Sequence, residues 1–197
     1  DLLMDAREIE ASVRAVIAAV RERGDAALLE LTERWDRVRL KPDELRVPDS
    51  AIRAARLDSP FAEAFQRAVD RIRWFHERVK PRTLDFEDSS GVRMGLRWTP
   101  IRSVGLYIPG GKASYPSTLA MTAVPAQIAG AERIAVVSPP GPAGEVSPDV
   151  LLAAKVLGLT EVYRVGGAQA VAALALGTKT IPRVDKIFGP GNAFVAE

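Results

Sequence analysis

The sequence predicts an α/β chain in three stretches: an amino-terminal helical region over residues 1–83, a β-hairpin linker over 84–102, and a parallel sheet interleaved with helices over 103–197. Three observations predict it. Charge is uneven, with 38 of the 52 charged side chains in residues 1–100 and 14 in residues 101–197. Glycine runs the other way, 3 against 12. Charged, glycine-poor sequence suits amphipathic helices that face water, whereas strands buried on both faces and joined by glycine turns need the opposite. Third, from residue 103 short apolar runs alternate with glycine loops and longer apolar segments, the pattern of βαβ crossovers in a parallel sheet.

In the first stretch, Ile9, Val13, Val16, Ile17 and Val20 fall on one helical stripe, and Gly24 is placed to end that helix. Asp25 is placed to cap a second helix whose Leu28, Leu31 and Trp35 share a face, and Pro48-Asp49 opens a short third segment. Ser59-Pro60 is a stronger start signal, with proline at the first helical position. Phe61, Phe65, Ala68, Ile72, Phe75 and Val79 then follow at steps of four and three, and Lys80-Pro81 stops the helix. That stripe fits two arrangements, packing onto neighbouring helices or a seam against a second subunit. Phe86, then Val92, Met94, Leu96 and Trp98, alternate around the polar turn Asp88-Ser89-Ser90-Gly91 and read as a hairpin.

The third stretch reads as four strands, Val104–Ile108, Ile134–Val137, Val162–Val165 and Lys186–Phe188, with helices over Pro116–Gly130, Pro148–Gly158 and Ala168–Gly177. A chain of 197 residues, 47% hydrophobic and with mean hydropathy near zero, can bury a real core. A net charge of +2 gives no electrostatic case for a nucleic-acid partner. The absence of cysteine removes disulfides, thiolate nucleophiles and cysteine-ligated zinc, and suits a reducing compartment. Acids at Asp1, Asp5, Glu8 and Glu10 are unlike the basic start of a signal peptide, and no apolar run is long enough to span a membrane. A cytoplasmic location is expected.

In open parallel sheets, ligands collect beyond the carboxyl ends of the strands. Three such ends carry glycine-rich turns: Gly105 to Gly111, Val165 to Ala170, and Phe188 to Asn192. Glycine lets a ligand approach the main chain, and a helix start beyond each turn offers N–H groups to phosphate. One such turn is explained by the need for tight strand-to-helix connections alone; three on one sheet edge favour a binding rim with open amides. Two phosphate motifs fail: a Walker loop would need glycine at 106 and Ser or Thr at 113, where the chain has Leu106 and Ala113, and Gly105 to Gly111 does not spell GxGxxG.

GLYIPGG at 105–111, YPSTLAMTAVPAQIAG at 115–130, VGGAQAVAALALGT at 165–178 and VDKIFGPGNAFVAE at 184–197, in this order, resemble the histidinol dehydrogenase family. The resemblance runs nearly continuously from about residue 90 to 197, and more loosely over the helices before it. It implies incomplete Rossmann-like domains akin to the aldehyde dehydrogenase architecture. It also implies a zinc- and NAD-dependent homodimer that oxidises L-histidinol through L-histidinal to L-histidine, the end of histidine biosynthesis, consuming two NAD per product. The family's NAD contacts fall on Tyr107, Gln169 and Asn192, side chains suited to ribose, amide and phosphate groups.

Alcohol oxidation needs a base for the hydroxyl proton, yet residues 101–197 contain no histidine. The single histidine, His76, lies on a charged helical face and suits a surface or capping role. One histidine and no cysteine build no zinc constellation. The family's catalytic glutamate-histidine pair and zinc ligands are expected downstream of residue 197, so the chain reads as the amino-terminal portion of the enzyme, inactive by itself. Two other readings stay open: a related dehydrogenase acting on another small alcohol such as a sulfonated diol, and a non-catalytic nucleotide-binding or dimerisation fragment.

Overall fold

The computed structural model describes residues 6–56, 59–110 and 114–196. The acids at Asp1 and Asp5, and the Gly111-Lys112-Ala113 stretch compared with the Walker loop, lie outside the described residues. Helix α1 (Ala6–Arg23) buries Val13, Val16 and Val20 and ends at Gly24, whose N–H donates to the Val20 carbonyl at 2.9 Å. Helix α2 (Asp25–Asp36) follows at once. Asp25 does not cap it. Gly24, at φ 54°, turns the chain so sharply that Asp25 is already helical, and its carboxylate instead accepts the Thr180 hydroxyl at 2.6 Å. Nor does Trp35 share the buried face; it is 44% exposed. That face runs through Leu28, Leu31 and Thr32, and Asp36, four residues beyond Thr32, continues it half-buried.

A short helix α3 (Asp49–Ala54) precedes the long α4 (Pro60–Val79), where the Ser59 hydroxyl accepts the Ala62 N–H at 3.1 Å as an N-cap. The buried face of α4 is Ala62, Phe65 and Val69, with Ile72 partly covered. Phe61, Ala68, Phe75 and Val79 of the expected stripe are exposed. This helix carries apolar residues on two flanks, so spacing alone does not say which flank meets the core. Strands β1 (Leu84–Glu87) and β2 (Arg93–Leu96) form the expected antiparallel hairpin, with Phe86 opposite Met94. Asp88 Oδ1 accepts from Ser90 N and Val92 N and holds its turn closed.

Next come β3 (Ser103–Tyr107), α5 (Pro116–Ala129), β4 (Arg133–Ser138), α6 (Pro148–Val156), β5 (Val162–Arg164), α7 (Gly167–Leu176), β6 (Lys186–Phe188) and the single turn α8 (Ala193–Ala196). The four strands pair in parallel in the order β5-β4-β3-β6. Counted along the chain, that order is 3-2-1-4, the order of a doubly wound sheet, with its reversal between β3 and β6. Val104, Leu106 and Ile108 pack on one face with Leu119, Ala123 and Val124 of α5 and with Phe65 of α4. Tyr107, Ala135, Val137 and Tyr163 pack on the other with residues of α1, α2 and α7. Helices of the first stretch therefore belong to both outer layers of the sheet. Gly105 lies inside β3, within the expected strand Val104–Ile108 and not in the glycine turn counted from it, and a Cβ there would come 2.8 Å from Leu174 of α7.

The free edge of β5 is covered by a segment the sequence reading left unassigned. Val47 N donates to the Val162 carbonyl and Arg164 N to the Leu45 carbonyl, both at 2.8 Å, so residues 45–47 run antiparallel along the edge. At the amino-terminal ends of β4 and β5, Arg133 pairs with Glu161, which also accepts the Tyr163 hydroxyl at 2.8 Å. Burial pushes the Glu161 carboxyl up, but Arg133 and Tyr163 outweigh it and hold it below the usual range.

Candidate functional site

Because all four strands are parallel, their carboxyl ends share one edge, and the turns beyond them touch. Pro139, after β4, is wedged between Gly110 and Gly166; at Gly166 a Cβ would come 2.5 Å from the proline ring. Gly189, at φ 149°, lies against the main chain of Tyr107 so closely that a Cβ there would collide with the Tyr107 carbonyl. The glycine turns after β3, β5 and β6 thus converge on one rim, with Tyr107 and the turn leading to Asn192 flanking the reversal of strand order.

The rim is more closed than the sequence suggests. Tyr107 is 6% and Gln169 1% exposed. The Tyr107 hydroxyl accepts the Gly167 N–H at 3.1 Å, and burial pushes that hydroxyl up against the opposing effect of the Gly167 bond. Asn192 is exposed and caps α8, its Oδ1 accepting Phe194 N at 3.1 Å and Val195 N at 3.2 Å. The amides of Gly167, Phe194 and Val195 are therefore already engaged, and much of the glycine content serves close packing between turns. Tyr107 and Gln169 come together around Gly167, whose Cβ would lie 2.5 Å from Gln169 Oε1. Asn192 joins them only as a neighbour along the rim.

Gln169 Oε1 is buried and has no hydrogen-bond partner. A buried carbonyl left unpaired costs about 1–3 kcal/mol, so this oxygen fits a ligand that brings a donor, such as the amide or hydroxyl of a dinucleotide. Sequence reasoning missed Asp36, whose Oδ2 is likewise buried and unpaired. Burial pushes its carboxyl up to about 6, and its charge raises the Tyr107 hydroxyl further. Its only sequence signal is its spacing, four residues beyond Thr32 and eight beyond Leu28 on one helical face.

His76 sits on α4 with its ring edge-on to Phe75, centroids 5.3 Å apart, and α4 packs on the sheet face opposite Tyr107. No group of three or more His, Cys, Asp or Glu among the described residues could hold a metal, so the donor set does not fit zinc. A cavity of about 420 Å³, lined by Ala62, Glu63, Gln66, Arg67 and Val156, contains none of the residues at the rim. No helix among the described residues is long and apolar enough to cross a membrane.

A 3-2-1-4 parallel sheet, helices on both faces and a polar rim at the strand reversal define a doubly wound α/β protein. The family model described as histidinol dehydrogenase matches residues 3–197, and the chain belongs to the histidinol dehydrogenase family, a family of oxidoreductases. It is 53% identical over 194 residues to the histidinol dehydrogenase of Ruegeria pomeroyi, covering 98% of this chain and 45% of the relative. It is 48% identical over 200 residues to histidinol dehydrogenase 1 of a Nostoc species, covering 100% of this chain and 46% of that protein. The crystal structure of histidinol dehydrogenase from Elizabethkingia anophelis superposes with a TM-score of 0.91 at 36% identity, over 98% of this chain and 45% of that one. The chain thus spans about 45% of the length of the relatives it matches.

Proposed function

We propose that this chain is the amino-terminal portion of an L-histidinol dehydrogenase and contributes part of its NAD site. The full-length enzyme would carry out the NAD-dependent two-step oxidation of L-histidinol to L-histidine in the cytoplasm. The observation that carries the NAD assignment is the buried, unpaired Gln169 carbonyl beside Tyr107 at the strand reversal. Bound there, NAD would supply the hydride acceptor. This chain's part is to bind and orient it: Gln169 Oε1 accepts a donor of the cofactor, the Tyr107 ring and hydroxyl form the wall, and Asn192 fixes the turn that closes the rim. The catalytic pair and the zinc ligands belong, on this reading, to the remainder of the enzyme.

A homodimer is part of the same proposal. Leu84, Phe86, Val92, Met94, Leu96 and Trp98 form one apolar face of the hairpin, each 41–54% exposed. A contiguous face of that size on a two-stranded hairpin calls for cover. In the full-length enzyme, Gln169→Ala should raise the NAD dissociation constant about tenfold by calorimetry, the loss of one buried hydrogen bond. Unchanged binding would remove Gln169 from the site.

A further inference from the structure

Among the described residues, three buried side-chain atoms lack hydrogen-bond partners: Thr32 Oγ1, Asp36 Oδ2 and Gln169 Oε1. They are not scattered. Thr32 and Asp36 stand one turn apart on the inward face of α2, which packs on α7, the helix that begins at Gly167 and carries Gln169. Tyr107 packs in the same core as α2 and α7: its hydroxyl accepts from Gly167, and it feels the charge of Asp36. Its own hydroxyl proton is not donated to Gly167, since that bond uses the oxygen as acceptor.

Two of the three unpaired atoms, the carboxylate of Asp36 and the carbonyl of Gln169, can only accept. The hydroxyls of Thr32 and Tyr107 are donated to neither acceptor, so a donor brought by a ligand would complete them. Hydrophobic packing supplies no donor, and the Gly167 N–H is already committed to Tyr107. A carboxylate at the carboxyl edge of a parallel sheet is well suited to two adjacent hydroxyls, because its two oxygens accept side by side. The residue after Asp36, Arg37, lines a cleft of about 340 Å³ that also reaches Arg39, Glu44, Gly144 and Arg164, so the end of α2 borders open space from which a ligand can arrive.

We propose that Asp36 is a further ligand-binding residue of the rim, its carboxylate accepting hydrogen bonds from ribose hydroxyls of the dinucleotide that Tyr107 and Gln169 hold. The inference rests on the NAD reading above and adds to it an α2 residue that selects for the sugar. Burial raises the Asp36 carboxyl to about 6, which is the cost of keeping an unpaired acceptor in the free protein.

The test uses the full-length enzyme and calorimetric titration with NAD and with two analogues, one lacking the hydroxyls of the adenosine ribose and one those of the nicotinamide ribose. Wild type should bind one analogue about 10- to 100-fold more weakly than NAD, the range for a hydrogen bond to a charged group. Asp36→Asn should bind NAD more weakly by a similar factor and no longer distinguish that analogue. Its unfolding midpoint without ligand should be unchanged or higher, which a merely structural carboxylate would not allow. If wild type binds both analogues as tightly as NAD, the proposal is overturned without any variant. If Gln169→Ala weakens NAD and Asp36→Asn does not, the rim reading stands and the role of Asp36 falls. If neither substitution changes NAD binding, the rim reading itself fails.

Discussion

The four-stranded sheet and the two-stranded hairpin are built from the same kind of residues and end up in opposite surroundings. In the sheet, Val104, Leu106, Val136, Val137 and Val162 are almost wholly buried because helices cover both faces. In the hairpin the alternation is just as regular, with Asp85, Glu87 and Arg93 on one face and Leu84, Phe86, Met94 and Leu96 on the other, yet the apolar face is open. Alternation specifies which side of a strand is apolar. It does not specify what lies over it. The contrast divides the chain into a part that satisfies itself and a part whose apolar surface is suited to another surface.

The largest effect should come from the self-sufficient part. Leu106→Ala removes a fully buried side chain between β4, β6 and α5 and should cost about 2–5 kcal/mol, read as a lower thermal midpoint and a lower denaturant midpoint. A loss below 1 kcal/mol would mean that the sheet core collapses around the cavity and is less rigid than its packing implies.

An intermediate effect is expected at Asp36 and depends on pH. In the folded chain its carboxyl keeps its proton up to about pH 6, whereas in the unfolded chain it releases it near the ordinary 3.8. Between those values the folded state binds more protons, so stability falls as pH rises through that window, and the loss is complete above about 6. Allowing for its partial exposure, the loss is about 1–2 kcal/mol. Asp36→Asn should flatten this slope in thermal unfolding measured from pH 4 to 7; an unchanged slope would show that another group titrates there.

The smallest effect on stability, and the sharpest on assembly, belongs to the hairpin. Phe86→Asp in the full-length enzyme should shift a homodimer towards monomer by light scattering. The same substitution in an exposed side chain should change the unfolding free energy of the protomer by no more than about 0.5 kcal/mol. A variant that stays dimeric would place the seam elsewhere and leave the hairpin face to be covered from within the same polypeptide.

Local chemistry along the chain was enough to place every strand of the sheet within about one residue, the stop at Gly24, the Ser59 cap, the Asp88 turn and the gathering of the glycine turns after β3, β5 and β6 at one edge. Each of these depends on neighbours a few residues away, or on the rule that parallel strands put their carboxyl ends together. What the chain order could not express was contact between distant segments. The Leu45–Val47 segment closing the β5 edge joins residues over 100 positions apart, and so does Asp25 reaching Thr180. The flank of α4 that is buried was equally hidden, because both flanks are apolar and only the seat on α5 chooses between them. Asp36 is the clearest case: in sequence it is one more acid near the end of a charged helix, and only the docking of α2 against the sheet takes its carboxylate partly out of water, where its charge acts on Tyr107.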